Sequence, residues 1–393
     1  MLYRKLIVIL ALAIVVFSSL TGCNAIPRVT AAERTFLEVS LEFLHEYRLP
    51  KGNFEDTVVG GLSAITYDRT RDRFYALSDD RSERGPARFY TLKMVLDPPS
   101  RQDPRSAKPL PVKIQSVAIE KVTVLKGPDS NPYPSGTIDP EGIVLTPARS
   151  LLIASEGVAR SGIPPFISEF DLETGAWKRQ LPIPKYYNPG LTEDQQPQGV
   201  RNNLAFESLT INPKGSVSDP REPFRLFAAT ESSLEQDPVP GSQGTPSRLL
   251  HYLIGDGPPL LISEHVYPLD ATPEGMQMNG LTELLSLDQA GHFLSIERAY
   301  GDPGFALRVY QVANAGATDI EGMTSLPKGL GGIQPAKKKL LLDISDLKIR
   351  MDNLEGMTFG PRLPDGSESL VIVSDDNFSQ LQVTQFLLFR LKR

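Results

Sequence analysis

The sequence predicts an all-β chain built from repeated antiparallel hairpins, and three observations carry that prediction. From about Leu37 onward, short apolar runs alternate with turns rich in Gly, Pro, Asp and Asn. No 3.6-residue apolar stripe is sustained anywhere in that stretch. Gly (31) and Pro (34) together make about 17% of the 393 residues, against a usual ~12%, as a turn-dense fold requires. Glu33 to Tyr47 comes closest to a helical pattern and reads as a first strand.

The elements recur as a unit. Gly60–Asp68 precedes Arg73–Asp80, Asp139–Leu145 precedes Leu151–Gly157, and Asn203–Ile211 precedes Leu226–Glu231. Asn279–Leu285 then precedes His292–Arg298, and Asp352–Phe359 precedes Leu370–Asn377. Each unit is two runs of strand length joined by a turn. The first run opens at Ser63, Glu141, Glu207, Glu283 or Glu355, and the second closes on an acidic residue. The openings lie 66–78 residues apart, more than the ~40–50 of a compact four-stranded blade, so long loops are expected. A hairpin that starts and ends at one sheet edge sets its first and last residues side by side. Five hairpins arranged radially would gather their acidic ends around one axis, as in a β-propeller. Asp319-Ile320-Glu321-Gly322-Met323 imitates an opening but lacks a matching second run, and is assigned to the preceding unit.

Composition bounds the function. Lys plus Arg is 41 and Asp plus Glu is 47, a formal charge of −6 with no polybasic block, so nucleic acid is not an expected partner. A single cysteine rules out an intramolecular disulfide or a cysteine-based zinc site. The N-terminus has the order of a secretory signal: Arg4 and Lys5, an apolar run from Leu6 to Phe17, then small residues. Twelve residues span only ~18 Å as a helix, short of the ~30 Å hydrocarbon core. Leu20-Thr21-Gly22-Cys23 resembles the bacterial lipobox, which implies lipidation at Cys23 and a mature chain anchored to a membrane. Asn24, where a retention signal would have Asp, points to an outer-membrane address in a two-membrane host. The expected organisation is a signal peptide over residues 1–22, a linker over 23–36, and a propeller over 37–393. The chain is expected in the cell envelope as a monomer.

Several motifs carry a resemblance. Gly61-Leu62-Ser63-Ala64-Ile65 with Leu77-Ser78-Asp79-Asp80, Asp139-Pro140-Glu141-Gly142, and Asn353-Leu354-Glu355-Gly356-Met357 resemble the bacterial phytase-like family, described by an "esterase-like activity of phytase". The resemblance spans about residues 55–393 and implies a β-propeller and a hydrolase of phosphate or related esters. The Pro-rich insert Asp97–Pro111 departs from the family pattern.

The residues admit some chemistries and not others. No Gly-x-Ser-x-Gly elbow is present, and His45, His251, His265 and His292 show no zinc-binding spacing. Carboxylates are abundant. Glu141, Glu207, Glu283 and Glu355 share one phase of the repeat and are the candidate catalytic groups. Asp79, Glu156, Glu231, Glu297 and Asp375 close the second runs and are candidate ligands for a hard divalent cation, Ca²⁺ first. Arg81, Arg298, Asn203 and Asn353 lie beside them and are candidate contacts for an anionic or ester substrate. Arg84, Arg88 and Arg201 are near the same strand ends. A cation-bridged phosphate ester attacked by activated water is one reading. A non-catalytic propeller that binds a ligand or envelope partner is the alternative, and a lactonase-like hydrolase a third.

Overall fold

The computed structural model describes residues 35–97, 112–212, 222–238, 244–302 and 304–393. One compact unit runs from Glu38 to Arg393. Cys23 and nearly all of the Asp97–Pro111 insert lie outside the described residues.

Five four-stranded antiparallel sheets make five blades, each ordered below from the innermost strand outward. Blade 1 is Leu62–Asp68, Arg73–Ser78, Arg88–Leu96 and Ile114–Val124. Blade 2 is Pro140–Leu145, Ser150–Ser155, Phe166–Asp171 and Trp177–Gln180. Blade 3 is Phe206–Ile211, Phe224–Thr230, Pro246–Ile254 and Leu260–Pro268. Blade 4 is Met278–Ser286, His292–Gly301, Gly304–Ala313 and Lys337–Asp343. Blade 5 is Asn353–Phe359, Glu368–Asp375, Thr384–Lys392 and, from the other end of the chain, Ser40–Leu49. Each predicted hairpin is the inner pair of one blade. The long repeat is accounted for by two further strands, which carry less regular patterns. Asp319–Met323 is a loop between the third and outermost strands of blade 4, not a sixth hairpin.

The ring closes twice. Each innermost strand packs against those of its two neighbours, blade 5 meeting blade 1. The N-terminal strand then pairs with the last strand from Ser40↔Lys392 to Leu49↔Thr384, so both ends of the described chain hold one blade together. This covers an edge that would otherwise expose unpaired backbone groups.

The core lies between blades, because alternate side chains of a strand face opposite neighbours. In blade 1, Phe74 and Ala76 pack towards blade 5 with Val371, Val373 and Phe386, while Tyr75 and Leu77 pack towards blade 2 with Ile143, Leu151 and Ile153. Leu226 and Ala228 of blade 3 face blade 2, and Phe227 and Ala229 face blade 4. Second strands are thus buried on both faces and read as continuous apolar runs (Leu151-Leu152-Ile153-Ala154), which is why they stand out in the sequence. At about 1.5–3 kcal/mol per fully buried large side chain, these four clusters hold the blades in register.

Candidate metal centre at the mouth of the ring

One irregularity, repeated in all five blades, builds the site. Each innermost strand has a β-bulge near its start, and the extra residue is Ser63, Glu141, Glu207, Thr282 or Glu355. A bulge re-aims a side chain that the regular pleat would send into a blade interface. Beside it on the second strand stand Asp79, Glu156, Glu231, Arg298 and Asp375, at the strand's end or one residue past it in four blades, while in blade 4 the strand runs on beyond Arg298 to Gly301. The Asp79, Glu156 and Glu231 amides donate to Gly61, Asp139 and Ala205, while Arg298 and Asp375 pair with Gly280 and Asn353. Two tiers of five positions therefore surround one end of the axis. Close approach of the inner strands fixes residue choice: a Cβ on Gly356 would lie 2.8 Å from the Ser63 carbonyl oxygen, and one on Gly280 would collide with the Glu231 carboxylate.

Blade 4 departs from the expectation at both tiers. Thr282 and Arg298 hold the ring positions, so Glu283 and Glu297 are each one residue out of phase. Glu283 is buried and accepts from the Leu284 amide (2.9 Å) and the Met357 amide (3.3 Å); burial pushes its carboxyl well above the usual range. Glu297 accepts from Tyr267 Oη (2.8 Å), the Asp270 amide (3.0 Å), Asn279 Nδ2 (2.9 Å) and Lys338 Nζ. Neither joins the other carboxylates at the mouth.

The rest converge. One oxygen each of Asp79, Asp139 and Glu141 lies within 4.8 Å of the others, and the same holds for Glu141, Glu156 and Glu207. Asp139, Glu141, Glu156 and Glu207 are buried, and Asp79 is partly exposed. Burial, followed by repulsion from neighbouring carboxylates, pushes Asp79, Glu141, Glu156 and Glu207 well above their ordinary range. Asp375 is raised by burial and by the charges of Glu355 and Asp79. Burial raises Asp139 against the opposing pull of Arg81, and Glu355 against that of Arg298. Glu231, raised by burial and partly restrained by Arg298, reaches about 7.

Both ring arginines are committed to carboxylates. Arg81 grips Asp139 through Nε (2.7 Å) and an η-nitrogen (2.5 Å), and that same η-nitrogen donates to Asn203 Oδ1. Arg298 reaches Glu231 at 3.2 Å and Glu355 at 3.0 Å. Asn353 Nδ2 donates to Glu355 Oε1 (2.7 Å), and Asp375 Oδ1 accepts from the Asn377 amide (2.7 Å). The other arginines named from sequence are occupied elsewhere. Arg88 is buried on Asp80 at 2.7 Å, Arg84 stacks over Phe378, and Arg201 pairs with Glu235 at 2.8 Å.

The histidines lie outside the mouth. His45 accepts from the Ile114 amide, and His292 bonds Asp288 at 2.7 Å. His251 and His265 flank Ser263 at 3.1 and 3.0 Å on the outer strands of blade 3. His265 Nδ1 faces the Thr318 carbonyl at 3.0 Å, where a catalytic triad would have a carboxylate.

Sequence reasoning missed Asp139, Thr282 and the ring role of Ser63. The signal was present in the length of the second runs: counted from Phe74, Leu151, Leu226, Phe293 and Leu370, five residues end at Ser78, Ser155, Thr230, Glu297 and Ser374, which sets Arg298 level with Asp79, Glu156, Glu231 and Asp375 and moves blade 4 by one residue.

The donor set fits a hard divalent cation. All converging atoms are carboxylate oxygens, the hard donors that Ca²⁺ and Mg²⁺ prefer, with no His or Cys in either cluster of the kind that zinc sites favour. Two oxygens bound to one calcium at ~2.3–2.6 Å lie at most ~5 Å apart, which the 4.8 Å clusters satisfy. Glu156 Oε2, Ser63 Oγ, Thr282 Oγ1 and Asn353 Oδ1 are buried with no partner among the described residues, a cost of ~1–3 kcal/mol each unless something binds them.

No curated protein matches the sequence. Among solved structures, the Dos1 propeller is similar at 9% identity, TM-score 0.32, over 84% of this chain and 67% of its own. The N-terminal domain of Nup159 is similar at 11% identity, TM-score 0.34, over 90% and 96%. A S. cerevisiae dbp5 structure with bound nup159 and gle1 matches at 8% identity, TM-score 0.29, over 90% and 96%. The propeller assignment rests on the five sheets above and not on these values. Residues 57–378 match the family described as "Phytase-like: Esterase-like activity of phytase"; with most of the described ring inside that span, the chain belongs to the phytase-like family.

Proposed function

We propose that the protein is a divalent-cation-dependent hydrolase of phosphate or related esters, working at the mouth of the ring. The observation that carries this reading is the convergence of Asp79, Asp139, Glu141, Glu156 and Glu207, with one buried oxygen among them, Glu156 Oε2, left unpartnered. These five would hold the cation, Ca²⁺ being the best fit to the donors, and the cation when bound would offset the negative charge of an ester substrate and polarise it.

The chain's own residues do the rest. Arg81 fixes Asp139 in place, and Arg298 neutralises Glu231 and Glu355 on the far side of the mouth. Glu231, at about 7, gains or loses a proton near neutrality, as an acid–base group requires. Both arginines already hold carboxylates, Arg298 through one η-nitrogen with its Nε left unpartnered, so an anionic substrate draws chiefly on the cation for its attraction. The same commitment supports a second reading, a non-catalytic propeller that binds cation and ligand without turnover.

Membrane attachment through Cys23 in the cell envelope is part of the proposal. The described chain enters the propeller at Ser40, paired with Lys392 at the end of blade 5 remote from the mouth.

The test is a panel of phosphomonoester, carboxylic ester and lactone substrates assayed with Ca²⁺ and with EDTA. Turnover of a phosphate or carboxylic ester, lost in EDTA and reduced at least tenfold in Glu141→Gln, is expected, with Cys23→Ser moving that activity from membrane to soluble fractions. Silence on every substrate with calcium bound would select the binding module.

A further inference from the structure

Resting on the cation-site reading above, we propose that the mouth holds two divalent cations side by side, and that Glu141 is the ligand they share. Two triads of oxygens meet there, Asp79–Asp139–Glu141 and Glu141–Glu156–Glu207, and Glu141 belongs to both. A carboxylate has two oxygens and about four lone-pair directions, so one side chain serves two neighbouring ions. The bulge places Glu141 on the inner strand of blade 2, between Asp79 of blade 1 and Glu207 of blade 3. Neither triad includes a residue of blade 4.

Unpartnered oxygens occur in the blades that supply the triads. Glu156 Oε1 accepts from the Ala205 amide, which leaves Oε2 buried and free for the second triad. Ser63 Oγ, 97% buried, is also unpartnered and sits on the bulge of blade 1, the blade that supplies Asp79. The charges match as well. Arg81 offsets one of the five carboxylates, and the four negative charges left over are those that two divalent ions cancel. On the opposite side the protein supplies its own cation: Arg298 stands where the other four blades present Asp79, Glu156, Glu231 and Asp375, and it contacts Glu231 and Glu355. The ions are thereby confined to the side of blades 1–3.

Native mass spectrometry and calorimetric titration of the mature chain with Ca²⁺ test the proposal. Two ions per chain are expected. Glu141→Gln should weaken uptake of both at least tenfold, Glu207→Gln should leave one, and Glu283→Gln, outside the mouth, should leave both. One ion in the wild type overturns the pair while leaving a single-cation site standing. No ion overturns both readings, and two ions with only one lost in Glu141→Gln overturns the sharing. If Glu141→Gln fails to fold by far-UV spectroscopy, the wild-type stoichiometry still decides the number, and Glu207→Gln whether the triads are separable.

Discussion

Two regions of this molecule bury carboxylates around an arginine, and they are built differently. In blade 3, Arg248 is fully buried and satisfied by the protein alone. Nε and an η-nitrogen grip Asp237 at 2.7 and 2.8 Å, and the other η-nitrogen meets Glu264 Oε1 at 2.7 Å and the Met323 carbonyl at 2.9 Å. Asp237 Oδ1 also accepts from the Leu326 amide, and Glu264 accepts from both Tyr186 and Tyr187 hydroxyls. Every carboxylate oxygen there has a protein donor. At the mouth, five carboxylates converge beside one directly bonded arginine, Arg81 on Asp139, and Glu156 Oε2 has no partner among the described residues. A buried network that satisfies itself holds loops together. One that leaves charge over is arranged for something the chain does not contain.

The largest effect should come from breaking the closed network. Arg248→Met keeps the volume but strands Asp237 and Glu264, and should destabilise the fold by about 3–5 kcal/mol in denaturant unfolding. Calcium should not reduce that deficit, since the lesion lies outside the mouth. A deficit that calcium abolishes would mean that the two regions are not independent.

A smaller effect follows from pH. The mouth carboxyls are raised by burial, so their protonated forms are favoured by folding. The stability they contribute is present below an ordinary glutamate's 4.5 and is lost as pH rises, through about 7 for Glu231. In EDTA the melting temperature should therefore fall between pH 5 and 8. Calcium, which binds the deprotonated carboxylates, should flatten or reverse that slope. A slope unaltered by calcium would place the titrating groups elsewhere.

How much of this was legible in the sequence differs by tier. The hairpins were readable because strands buried on both faces become unbroken apolar runs bounded by polar ends, as in Leu151–Ser155 and Leu370–Ser374. Outer strands such as Lys337–Asp343, exposed along much of their length, carry no such mark. The acidic ring was readable where a bulge residue is itself Glu, at 141, 207 and 355. It failed at blade 4 because a bulge has no sequence signature of its own, and Leu281-Thr282-Glu283 offers a glutamate one residue late. With side chains alternating every residue, that single step moves Glu283 from the mouth into the interface with blade 5, against Met357. Closure by Ser40–Leu49 was out of reach too, because pairing between distant segments is written in neither strand alone.

The central claim is that the mouth is completed by a cation which the chain does not supply. Thermal unfolding of the mature protein at pH 7.5, in EDTA and in excess calcium, tests it most directly. At a free concentration near 100 times the dissociation constant, a ligand specific to the native state adds about 2.7 kcal/mol per site, so the melting temperature should rise by several degrees in the wild type and in Glu283→Gln, and by much less in Glu141→Gln. Identical melting curves in calcium and in EDTA would contradict the claim and make the ring a scaffold of carboxyl groups held by their own protons.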